Sequence, residues 1–266
     1  MSPVKPRLAS TVLVVRDSHL GMEVYVQERV STMRFAANMT VFPGGGLDAR
    51  DLPGDVDGDG HDSPPLAWNG PDDNWWAQRL GVEPGIARGL VCAAVRETFE
   101  ETGTLFAGKC DTGHVLSSTT QYNDARFELE SKQLAMSDFL DRENLELRTD
   151  LLKPWDNWVT PEDEPIRFDT YFFVAAQPKG QVALGDTSEA SSTGWFLPST
   201  LLDAWKFRKI GLMAPTWAQL MSIAEFETVA DLLAAAEERE EVLRSIDDGK
   251  SNAMVDAYWA LERRYQ

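Results

Sequence analysis

Glu97, Glu100 and Glu101 stand at i, i+3 and i+4 within Arg96-Glu97-Thr98-Phe99-Glu100-Glu101-Thr102-Gly103. On a helix that spacing puts three carboxylates on one face. Like charges so placed cost about 0.2–0.5 kcal/mol per pair. They also fall in the last turns, where the helix dipole disfavours anions. A divalent cation held by the carboxylate oxygens would reverse the sign of that cost, and oxygen-only ligation suits Mg²⁺ or Mn²⁺. Arg96 is spaced to pair with Glu100 at i+4 and hold its rotamer. Taken alone, the three glutamates also fit a solvated acidic helix end.

The elements around this stretch must carry it. Residues 86–102 read as a helix with Val91, Ala94, Val95, Thr98 and Phe99 on its apolar side and Gly103 as its stop. Upstream, residues 9–16 and 22–29 read as strands joined by a His19-Leu20-Gly21 turn, and Thr40-Val41-Phe42 runs into Pro43-Gly44-Gly45-Gly46. Residues 123–142 read as one amphipathic helix. Strands are expected over 145–152, 155–159, 182–184 and 194–197. Residues 168–176 are apolar on both faces, as a central strand requires. From Pro198 the pattern is helical. Strands interleaved with a few long helices indicate an α/β layered fold.

Between Asp51 and Trp76 seven aspartates occur among prolines and glycines without a Lys or Arg. An inserted loop, mobile in its acidic part, is expected. Residues 55–60 match the opening of a calcium loop. The twelfth position is Leu66 instead of a bidentate Glu, and no helices flank it, so a solvated loop is the better reading. Trp68, Trp75 and Trp76 are expected to anchor the insert to the core.

The net charge of −18 disfavours a nucleic acid polymer or an anionic membrane as partner. An anionic substrate would need local cations or bound metal. Cys92 and Cys110 form no metal-ligand pair, and no apolar run reaches membrane-span length. The stretch 12–15 is too short for a signal peptide, and the terminal Arg-Arg-Tyr-Gln is no peroxisomal address, so a cytoplasmic setting is expected.

The glutamate stretch resembles the signature of the Nudix hydrolases, G-x5-E-x7-R-E-U-x-E-E-x-G-U, where U is a bulky aliphatic residue. Arg96, Glu97, Glu100, Glu101 and Gly103 match, Ala93-Ala94 precede them, and Phe42-Pro43-Gly44-Gly45 matches the turn that opens the box. Thr98 and Thr104 stand where aliphatic residues are usual. The first acidic position falls on Asp51, and the position eight before Arg96 is Arg88, not an acid. Arg96 follows Gly45 by 51 positions, about 37 more than in an uninterrupted box. That split, with VFPGGGLDARD, RFDTYFFVA and LMAPTWAQLMSIAEF, resembles the branch that includes the peroxisomal coenzyme A diphosphatase. The likeness runs over about residues 9–236. Its coenzyme A signature is only partly present: Arg34, the FPGG turn, Asp48 and Asp51 fit, and Asn38 replaces a common glycine.

The resemblance implies a Nudix fold, a mixed sheet between helices. A Nudix domain is expected over residues 1–200, with an insertion at 52–87, and a helical extension over 201–266. It implies Mg²⁺ or Mn²⁺ held by Glu97, Glu100, Glu101 and the Gly45 carbonyl, with Arg96 supporting the set. It suggests Glu189 as a fourth carboxylate for metal or base work, with Asp186 as neighbour and Glu162-Asp163-Glu164 as a rival. Arg34 and Arg167 are candidates to bind substrate phosphates, ordinary ion pairs being the alternative. The implied substrate is a small nucleoside diphosphate derivative, best coenzyme A or acyl-coenzyme A; ADP-ribose, dinucleotides or modified nucleotides are alternatives, as is a non-catalytic nucleotide sensor. The C-terminal helices are expected to cover the site or to build a homodimer, a choice left open.

Overall fold

The computed structural model describes residues 4–30, 36–52, 65–185, 190–240, 242 and 250–265. Arg34, Asp186, Glu189 and the calcium-loop match at 55–60 lie outside the described residues. In chain order the elements are β1 (Arg7–Ser18), β2 (Gly21–Arg29), β3 (Thr40–Val41), β4 (Gly44–Gly46), β5 (Trp68–Asn69), α1 (Asp73–Leu80) and α2 (Pro84–Thr102). There follow β6 (Ala107–Lys109), α3 (Asn123–Glu130), α4 (Met136–Glu143), β7 (Leu145–Arg148), β8 (Leu152–Val159), β9 (Phe168–Ala176) and β10 (Ala190–Phe196). Four helices close the described chain: α5 (Pro198–Lys206), α6 (Ala214–Ile223), α7 (Val229–Glu237) and α8 (Lys250–Arg264).

The main sheet runs β10-β2-β1-β9-β8, with β3 on β2 and β4 on β1. β1 is parallel to β9 from Arg7↔Phe168 to Val15↔Ala176, and antiparallel to β2 and β4. A smaller sheet runs β5-β7-β6. The period of two in the strands sorts their side chains between two cores. Val12, Val14, Tyr171 and Phe173 face α2, whereas Leu13, Val15, Phe172 and Val174 face Trp205, Trp217, Leu220 and Leu232 of the C-terminal helices. The sheet is thus covered on both sides, which is why residues 171–176 are apolar throughout. The expected mixed sheet between helices is borne out.

Several expectations change in detail. The inserted stretch contains β5 and α1 where a loop was expected, because Trp76 is fully buried among Leu80, Phe173 and Trp75. The tryptophans do anchor it: Trp68 Nε1 donates to the Pro71 carbonyl, and β5 pairs with β7. The single helix expected over 123–142 is two, α3 and α4. Lys132 takes a left-handed φ of 61°, and the Gln133 N–H turns back to the Glu128 carbonyl, closing the first helix. No strand forms over 182–184. There the Gln181 side chain, instead of a ladder, pairs with Leu105 N–H and the carbonyls of Leu105 and Leu116. Among the described residues no helix is long and apolar enough to cross a membrane.

Candidate active site

α2 starts with Pro84 at its first turn and ends on Gly103, whose φ of 72° and N–H bond to the Phe99 carbonyl make a left-handed cap. Leu90, Val91, Val95 and Phe99 hold it in the core. Ser10 Oγ donates to the Leu90 carbonyl at 2.7 Å, tying the helix to β1. Thr98, at a usually aliphatic position, is buried because its hydroxyl donates to the Ala94 carbonyl at 2.7 Å.

The polar face of α2 meets the glycine strand β4. A Cβ on Gly45 would overlap the Glu97 carboxylate, so only glycine lets that carboxylate reach the backbone. The Gly44 N–H donates to Glu101 Oε2 at 2.8 Å, and Gln27 Nε2 donates to the same oxygen at 2.8 Å. Glu97 and Glu100 are organised by Arg96, whose Nη1 donates to Glu97 Oε1 at 2.7 Å and to both Glu100 oxygens at 3.2 Å. The rest of that guanidinium grips Asp51 through two bonds of 2.8 Å and reaches the Gly46 carbonyl at 3.1 Å. Asp51 is held in turn by the Asp48 N–H at 2.9 Å, within a capping box around the short turn 49–51. Burial alone would lower the Arg96 pKa, but Asp51, Glu97 and Glu100 outweigh it and raise it. Glu100 is pushed up to about 7 by burial, aided by Glu97 and opposed by Arg96.

Two buried residues that sequence reasoning missed belong to this site. Gln27 is one. The other is Arg126, from α3, whose Nε donates to the Glu100 carbonyl at 2.8 Å and steadies the end of α2. Neither lies in a motif, and no spacing signal connects them to residues 97–101. Arg167, expected near phosphate, is buried with its donors on backbone carbonyls. Its Nε donates to the Thr160 carbonyl at 3.0 Å and its Nη1 to the Val4 carbonyl at 2.7 Å, so it ties the chain before β1 to the turn before β9. Those bonds do not extend to the glutamates. Glu162, Asp163 and Glu164 are exposed on that turn. A separate cleft of about 540 Å³, lined by Leu8, Val82, Glu83, Ile86, Asp169 and Tyr171, contains none of the three glutamates.

The donor types fit a hard divalent cation: carboxylate oxygens on one helix face, with Glu97 against a Gly45 backbone that a Cβ would block and Glu101 on the Gly44 N–H. Among the described residues no three His, Cys, Asp or Glu side chains already converge as a cage. Arg96 and the amides of Gly44 and Gln27 hold the carboxylates instead.

A family model described as the NUDT19 Nudix domain matches residues 84–223, more than half of the chain. The chain belongs to this Nudix family. The match opens at the first residue of α2 and closes at the last of α6, so the Nudix domain model reaches into the C-terminal helices. Among its relatives is the acyl-coenzyme A diphosphatase NUDT19 of Xenopus laevis, 27% identical over 235 residues, covering 79% of this chain and 62% of that protein. The putative nudix hydrolase 7 of Caenorhabditis elegans is 25% identical over 217 residues, covering 82% and 60%. The chain thus spans about three fifths of the length of these relatives. The crystal structure of a NUDIX hydrolase from Alicyclobacillus acidocaldarius shares the fold, with a TM-score of 0.69 at 24% identity, covering 87% of this chain and 96% of that one. The expected place in the Nudix superfamily, beside the coenzyme A diphosphatase branch, is borne out.

Proposed function

We propose that this Nudix protein hydrolyses the diphosphate linkage of a nucleoside diphosphate derivative, with coenzyme A or an acyl-coenzyme A as substrate. The products would be 3′,5′-ADP and a phosphopantetheine or its acyl form. The observation that carries the chemistry is the set of Glu97, Glu100 and Glu101 ordered against Gly45 by Arg96, Gln27 and the Gly44 N–H. The relative named as an acyl-coenzyme A diphosphatase supports the substrate.

Glu97, Glu100, Glu101 and the Gly45 carbonyl would hold Mg²⁺ or Mn²⁺. The cation would supply charge neutralisation of the diphosphate and acidification of the attacking water. Arg96 keeps Glu97 and Glu100 in fixed rotamers, a preorganisation that removes reorientation from the barrier. Glu189 is the proposed acceptor of the water's proton. In support, the Leu184 N–H bonds the Thr102 carbonyl at 2.7 Å, bringing the chain five residues before Glu189 to the end of α2. Arg34 is the proposed reader of a substrate phosphate. Arg167, with its donors on internal carbonyls, is reassigned to the fold.

The test is turnover of a diphosphate panel with Mg²⁺ and with Mn²⁺. Coenzyme A or a short acyl-coenzyme A is expected to exceed ADP-ribose and dinucleotides in kcat/KM. Dephospho-coenzyme A should lose roughly ten- to hundred-fold if an arginine reads the 3′-phosphate. Glu101→Gln should lower kcat by about 100-fold or more with the fold intact. Undiminished turnover in excess EDTA, or by that variant, refutes the metal chemistry; preferred cleavage of ADP-ribose refutes the substrate alone.

A further inference from the structure

Gln27 is on β2, buried to 2% exposure, and lies outside every motif of the sequence. Its Nε2 and the Gly44 N–H both donate to Glu101 Oε2. The amide's orientation follows from chemistry: a carboxylate oxygen accepts only, so the end that faces it is the NH₂. Gln27 Oε1 is then left buried, with no hydrogen-bond partner among the described residues. Desolvating an amide oxygen is costly unless a donor reaches it.

The side chain that carries this oxygen is joined directly to Glu101, so the ligand of the glutamates is the natural source of the donor. A phosphate oxygen is itself an acceptor and would repel Gln27 Oε1. A hydrated divalent cation has the opposite character: Mg²⁺ retains several of its waters, and each presents O–H groups that need acceptors. We propose that Gln27 is a positioning residue of the cation site. Its NH₂ end fixes Glu101, and its oxygen accepts a hydrogen bond from the hydration shell of the incoming cation. This rests on the reading of Glu97, Glu100 and Glu101 as a Mg²⁺ or Mn²⁺ site and deepens it.

The test is Mn²⁺ binding without substrate, read from the spin-resonance signal of the free ion, with thermal melts as a control for the fold. Gln27→Met is close in length and lacks both polar groups. It should weaken Mn²⁺ binding roughly ten- to hundred-fold, the usual consequence of losing a partner that orients a metal ligand. Gln27→Asn keeps the amide but withdraws it from Glu101. It should lose affinity in the same direction, and it stands in if Gln27→Met does not fold. In a Glu101→Gln background either change should add little, because both act on one carboxylate. Wild-type affinity in the folded variants, or losses that add fully in the double variant, overturns the proposal while leaving the cation site intact. Absence of Mn²⁺ binding by the wild type overturns the site reading and this inference together.

Discussion

Arg96 is the residue on which the site converges, since one guanidinium touches Asp51, Glu97, Glu100 and the Gly46 carbonyl. Its charge does not cancel the cost of placing Glu100 among other carboxylates in a buried position. Burial dominates, and the Glu100 pKa rises to about 7 from an ordinary value near 4.5. A carboxyl whose folded pKa exceeds its unfolded pKa favours the fold most below the unfolded value. That contribution is lost as pH rises from about 4.5 through about 7. Glu100→Gln cannot ionise, so in metal-free protein its stability relative to wild type should improve between pH 5 and pH 8, by on the order of 3 kcal/mol. Urea unfolding at the two pH values measures the difference. A constant gap between the two proteins would show that Glu100 is already charged at pH 5.

At the scale of elements, the insert is held by α1, whose N-cap Asp72 accepts the Trp75 N–H and whose C-cap Gly81 takes a left-handed φ of 66°. Trp76 lies on the core side of this helix and is completely buried, whereas Trp75 is partly buried with the Arg79 guanidinium over its ring. Trp76→Ala should therefore cost about 3–5 kcal/mol, the range for deleting a buried aromatic side chain. Trp75→Ala should cost closer to about 1 kcal/mol, mainly the cation–π contact and partial burial. Denaturant midpoints would separate them, and equal costs would contradict the burial assigned to the pair. Which tryptophan faces inward was not legible in the sequence, because Trp68, Trp75 and Trp76 share one type and only packing distinguishes them. α2 was legible almost to its ends, since apolar periodicity and a glycine stop agree, although the helix opens at Pro84, ahead of the expected residue 86. The break at Ser131 and Lys132 was not, because neither residue is a Gly or Pro. In the site, the glutamates and Arg96 announce themselves by spacing along one helix. Gln27 and Arg126 arrive from β2 and α3, and contacts between distant elements leave no trace in local spacing.

The whole molecule is built on a main sheet with a core on each face, and the second core consists of sheet residues packed directly on the C-terminal helices. A chain ending at Leu197 would present Leu13, Val15, Trp155, Phe172 and Val174 to water. Such a contiguous apolar face drives aggregation. That truncated chain is expected to lack a cooperative unfolding transition and to bind hydrophobic dyes, whereas the full chain unfolds cooperatively. Near-ultraviolet circular dichroism during urea titration is the measurement, and a sharp transition in the truncated chain would show that the helices are dispensable. The parallel pairing of β1 with β9 also sets a clock on biosynthesis. At ordinary elongation rates of about 5–20 residues per second, β1 leaves the ribosome roughly 8–30 s before β9 can pair with it. During that wait the nascent chain carries an apolar strand with an unsatisfied edge and no native neighbour on that side, which makes β1 the segment most in need of a chaperone.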